Sequence, residues 1–66
     1  MNDYNKATKE VIEWLGLTPS MSAQEIKSAI SKAFIQKYGK KVPKGVLNGH
    51  IDDFTESVCL QFGIGY

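Results

Sequence analysis

Residues Ser22-Ala23-Gln24-Glu25 constrain this chain more than any other stretch. A serine followed three residues later by glutamate, just ahead of a periodic apolar run, is a capping box. The serine hydroxyl accepts the amide of the third helical residue, and the glutamate side chain takes the serine amide in return. Met21 before the cap and Ile26 after it complete a hydrophobic staple. Downstream, Ile26, Ala29, Ile30, Ala33 and Phe34 fall on one stripe, while Lys27, Ser28, Ser31, Lys32 and Gln36 fall on the other side. This periodicity predicts a helix over 22–38, closed by Gly39.

Similar punctuation bounds a helix upstream. Tyr4, Ala7, Thr8, Val11 and Leu15 follow helical spacing, with Ile12 and Trp14 flanking the stripe, over residues 3–15. Gly16 stands where a left-handed cap belongs, Leu17 can fold back on the last turn, and Pro19 blocks continuation. A third helix is written in Leu47, Ile51, Phe54, Val58 and Phe62, with Gly63 as its stop. Its start has two readings. Pro43 can open it, because the residue before a proline is pushed out of the helical region. Alternatively, Asn48 caps it and places Asp52 and Asp53 near the positive end of the helix dipole. Alternating strand patterns and two-residue hairpin signals are missing. The expectation is an all-α fold, a small three-helix bundle with helices at about 3–15, 22–38 and 44/49–62, forming one helical domain over residues 1–66.

Composition narrows the class further. With 42% hydrophobic and 23% charged residues, the chain is too apolar for a disordered segment. No run approaches the roughly 18 consecutive apolar residues of a membrane span. Met1 to Lys6 contain no apolar core of a secretory signal. One cysteine, Cys59, can form neither an internal disulfide nor a cysteine-rich metal site. Small secreted domains usually carry several bridges, so a cytoplasmic location is expected, with Cys59 acting as a small hydrophobe near the core.

Candidate chemistry is sparse. His50, Asp53 and Ser57 are the residue types of a hydrolytic triad, but seven helical residues separate His50 from Ser57 by about 10 Å along the axis. A nucleophile must sit within hydrogen-bond reach of its base. Asp52, Asp53 and Glu56 near His50 lack calcium-loop spacing and read as a solvated acidic face. Gly63-Ile64-Gly65 follows a helix, whereas a phosphate-cradling loop opens one. The expectation is a protein without enzymatic activity, cofactor or metal.

Charge layout says more. Lys27, Lys32, Lys37, Lys40, Lys41 and Lys44 form a block of six lysines with no acid among them. The segment before it nets −2 (Lys6 and Lys9 against Asp3, Glu10, Glu13 and Glu25), and the segment after it −3 (Asp52, Asp53 and Glu56). A total of +1 therefore hides a strongly dipolar molecule. Two binding readings follow. In the leading one the chain is a small protein-interaction or regulatory module whose partner is another protein or a second copy of itself, as in a homodimer. Its contacts are Ile35, Tyr38 and Leu60, apolar residues off the core stripes, with Trp14 and Tyr66 as neighbours of that patch and the basic loop as electrostatic guide. The alternative is a nucleic-acid-binding protein that docks through Lys37, Lys40, Lys41 and Lys44 in the loop 37–44. Against the second stand the absence of arginine and the acids on the would-be recognition helix.

Overall fold

In a computed structural model, residues 3–65 are described, with side chains from residue 5 onward. They form three helices, α1 (Asp3–Leu15), α2 (Ala23–Tyr38) and α3 (Lys44–Phe62), arranged as a small three-helix bundle. None of the helices is long and apolar enough to cross a membrane.

Local chemistry sets the ends. The Ser22 hydroxyl accepts the Glu25 amide at 3.1 Å, and Ser22 N–H donates to Glu25 Oε1 at 2.9 Å, so both halves of the capping box are present. Ser22 is thus the cap, and the helix proper begins at Ala23. Gly16 takes a left-handed φ of 65°, and the Leu17 amide donates back to the Ile12 carbonyl at 3.0 Å. Leu17 is folded into the core by this turn. Gly63, at φ 73°, closes α3 in the same way, with Ile64 N–H donating to the Cys59 carbonyl at 2.8 Å. Gly39 differs: it stops α2 in a right-handed conformation, and a Cβ there would strike the Ile35 carbonyl oxygen.

Of the two expected starts of α3, the one at residue 44 is observed. Pro43 is the cap residue, extended at ψ 144°, and its carbonyl accepts the Leu47 amide at 2.9 Å. The reading with Asn48 as cap is therefore corrected: Asn48 lies inside the helix, and Asp52 and Asp53 are two turns from its positive end. Burial of Leu47 supplies the physical reason, since docking that side chain draws the preceding turn, Gly45 included, into helix.

The core is built from Val11, Leu17, Ile26, Ile30, Phe34, Leu47, Ile51, Val58 and Cys59. The stripes expected on α2 and α3 point inward, with Phe54 and Phe62 half-buried at their edge. Two polar side chains, Thr8 and Thr55, are fully buried as well. Thr55 donates its hydroxyl to the Ile51 carbonyl at 2.7 Å. Thr8 and Ser57 share a hydroxyl–hydroxyl bond of 2.8 Å that ties α1 to α3. α2 and α3 pack most extensively on each other, and α1 lies against that pair with a smaller contact. Lys27 and Asp52 form an exposed ion pair of 3.1 Å across the α2–α3 hairpin, the kind of contact that contributes about 0–1 kcal/mol.

Candidate binding groove

Where α1 diverges from the α2–α3 hairpin, an open groove of about 590 Å³ remains. Each helix contributes side chains at helical spacing: Ala7, Glu10, Val11 and Trp14 from α1; Phe34, Lys37 and Tyr38 from α2; Leu47, His50 and Phe54 from α3. Val42, from the α2–α3 connector, completes the lining. Spacing of three, four or seven residues puts each set on one face of its helix, so the groove is a product of three amphipathic stripes that do not fully meet.

Phe34 organises the site. It is nearly buried, and three rings gather on it: Phe54 edge-on at 5.3 Å, Tyr38 edge-on at 5.7 Å, and Trp14 stacked at 6.3 Å with 24° between planes. These separations fall in the range where aromatic pairs attract beyond simple burial, each by roughly 0.5–1.5 kcal/mol. Trp14 remains 49% exposed despite its stacking. The Lys37 ammonium sits over the ring, 4.8 Å from its centroid and 5.5 Å from that of Tyr38. A cation so placed is attracted by the negative faces of both rings. The floor is thus apolar (Val11, Phe34, Leu47), and exposed Glu10, Lys37 and His50 stand on the rim.

The residues singled out in the sequence fall in three places. Tyr38 and Lys37 line the groove. Lys40, Lys41 and Lys44 are exposed on the connector and the first turn of α3, between or next to lining residues Tyr38, Val42 and Leu47. Ile35, 53% exposed, stands beside Tyr38 but outside the groove. Leu60, 75% exposed, is sixteen residues beyond Lys44, about 24 Å along α3 from the connector. The expected patch of Ile35, Tyr38 and Leu60 is therefore not one surface. Of its two expected neighbours, Trp14 belongs to the groove, and Tyr66 lies outside the described residues.

Sequence reasoning assigned Phe34 and Phe54 to the core and Trp14 to a flank, and so missed their convergence. The usable signal was composition: four of the chain's seven aromatics (one Trp, three Tyr, three Phe) meet here. Of the would-be triad, Ser57 is bonded to Thr8, and His50 lines the groove. No three His, Cys, Asp or Glu side chains gather into a metal-holding group among the described residues. Cys59 is buried, and desolvation pushes its thiol above the ordinary value, favouring the neutral, unreactive form. No family model matches the chain, and no curated protein or solved structure matches it either.

Proposed function

We propose that this chain is a non-enzymatic binding module that receives an apolar segment of another protein in the groove between α1 and the α2–α3 hairpin. The observation that carries the reading is the half-exposed Trp14, stacked on a nearly buried Phe34 at the mouth of an aromatic-walled groove. Rigid aromatic anchors around a concave site are the usual seat of binding energy at protein interfaces. Helix-in-groove recognition uses this kind of surface. Ile35, beside Tyr38, extends the contact surface along α2, and Leu60 offers a separate contact at the far end of α3 for self-association. On the strength of its single, unbridged cysteine, we place the module in the cytoplasm.

The test is chemical-shift mapping with an amphipathic helical peptide. Binding in the groove perturbs Trp14, Phe34, Tyr38 and Phe54 together and is lost in Trp14→Ala, with far-ultraviolet circular dichroism showing that this variant keeps its helices. Shifts confined to the Ile35 or Leu60 surfaces, or no shifts at all, would overturn the reading.

A second reading rests on the exposure of Lys40, Lys41 and Lys44 at one end of the molecule. With Lys37, these lysines would seat the phosphates of a nucleic acid, and binding would fall steeply as salt rises. An electrophoretic mobility shift at low salt, lost in Lys40→Glu/Lys41→Glu, would establish it in place of the first.

A further inference from the structure

We infer that the segment taken up by the groove is an acidic amphipathic helix: a row of apolar side chains flanked by aspartate or glutamate, belonging to another protein. This rests on the reading of the groove as a protein-binding site and adds the chemistry of the partner.

The argument is one of complementarity. The apolar floor and the aromatic wall ask for large apolar anchors. The lining residues Lys37, Tyr38, Val42 and Leu47, on and around the α2–α3 connector, are set in a basic stretch of chain. Lys37 is on the rim, Lys40 and Lys41 fall between lining residues Tyr38 and Val42, and Lys44 is one turn before lining residue Leu47. All four lysines are exposed, and the stretch from Lys37 to Lys44 contains no acid. Among the described lining residues Glu10 is the single carboxylate, and it comes from α1. A partner helix held in the groove therefore lies beside a cluster of positive charge. Carboxylates there gain attraction and steer the encounter, whereas lysines or arginines there are repelled. If the C-terminus of the partner helix is the end that lies over the connector, its own dipole adds to the attraction.

A helix suits this site better than a nucleic-acid strand. Base stacking needs open ring faces. Here Trp14 is stacked on Phe34 and has the Lys37 ammonium over its ring, and the same ammonium sits 5.5 Å from the Tyr38 ring centroid, so neither ring is a free platform for a base. The rings form a wall for aliphatic and aromatic side chains.

Three synthetic peptides with one shared apolar row test the proposal, carrying glutamate, glutamine or lysine at the flanking positions. Affinity is read from the emission of Trp14, the chain's single tryptophan. At low salt the glutamate peptide is expected to bind about tenfold or more tightly than the glutamine peptide, with the lysine peptide weakest. Raising the salt to about 0.15 M, where screening acts within about 8 Å, should shrink that gap several-fold. Lys40→Glu/Lys41→Glu, both at exposed positions, turns a cluster of four positive charges into one of two positive and two negative, and should remove most of the difference between the peptides while leaving the far-ultraviolet circular dichroism unchanged. Equal binding of all three peptides overturns the acidic preference and leaves the groove reading standing. Binding of none overturns both. Single-stranded DNA that displaces the glutamate peptide from Trp14 at equal or lower concentration makes the occupant a nucleic acid and overturns the proposal. So does concentration-dependent dimerisation that buries Trp14 and is lost in Leu60→Asp, because the occupant is then a second copy of the chain.

Discussion

The hydroxyl pair Thr8–Ser57 is the most informative place to perturb this fold. It joins residues 49 apart in sequence and holds the helix with the smaller packing contact, α1, against α3. Thr8 is fully buried, whereas Ser57 is partly exposed. A neutral hydrogen bond of this kind contributes about 0.5–1.5 kcal/mol net, and removing one partner costs about 1–3 kcal/mol when the other is left unsatisfied. Ser57→Ala strips this partner from a buried hydroxyl, so its cost should be about 1–3 kcal/mol. Thr8→Val keeps the shape but loses everything the hydroxyl makes, and should cost about 1–2 kcal/mol. The double variant should then be less damaged than the sum of the two by about 1 kcal/mol, since the bond can be lost only once. For a chain of 66 residues, whose total stability at 0.05–0.15 kcal/mol per residue is roughly 3–10 kcal/mol, that is a large share. A loss of 1 kcal/mol corresponds to about 4–8 °C in Tm for a domain of this size. Urea unfolding followed by circular dichroism on the four proteins measures the cycle. A coupling below about 0.3 kcal/mol, within the additivity expected of independent sites, would refute the claim that this bond anchors α1.

Other expectations follow from the same geometry. Ile30→Ala, at a fully buried position, should cost about 2–5 kcal/mol and leave the chain largely unfolded at 37 °C by circular dichroism. Ser22→Ala removes half of the capping box and should lower stability by about 0.5–2 kcal/mol, seen as a shift in urea midpoint without a change in slope. Leu60→Asp, at a position 75% exposed, should change stability by less than about 0.5 kcal/mol, read from the same denaturant curves. The raised Cys59 thiol makes stability depend on alkaline pH. An unfolded thiol ionises near about 8.5, so its contribution is whole below that value and is lost as pH rises through the higher folded pKa. Cys59→Ala should flatten that part of the alkaline slope in urea unfolding between neutral pH and about pH 10, and in the native protein a thiol reagent should react with Cys59 only as fast as the core opens.

The parts of this molecule legible in the sequence are those governed by neighbours a few residues apart. The capping box at Ser22 and Glu25, the left-handed Gly16, the stop at Gly63 and the inward stripe of Ile26, Ile30 and Phe34 all arise from contacts within one or two turns, and the structure has each of them. Exposure of Ile35 and Leu60 was legible for the same reason, since helical spacing places both off the stripe. The start of α3 was not, because Pro43 and Asn48 offer comparable local caps and the burial of Leu47, a long-range contact, decides between them. The groove was also out of reach. Trp14, Phe34 and Phe54 lie on three different helices, and only the packing of α1 and α3 against α2 brings the Trp14 and Phe54 ring centroids to 6.3 and 5.3 Å from that of Phe34. Tertiary packing likewise sent Ser57 to Thr8, whereas the separation of Leu60 from the connector follows from the length of α3 alone. By itself the sequence determined three helices, their stops and their inward faces, because backbone capping and amphipathic spacing are local. The tertiary structure decided which faces meet and which stay open, because that depends on how whole surfaces fit together.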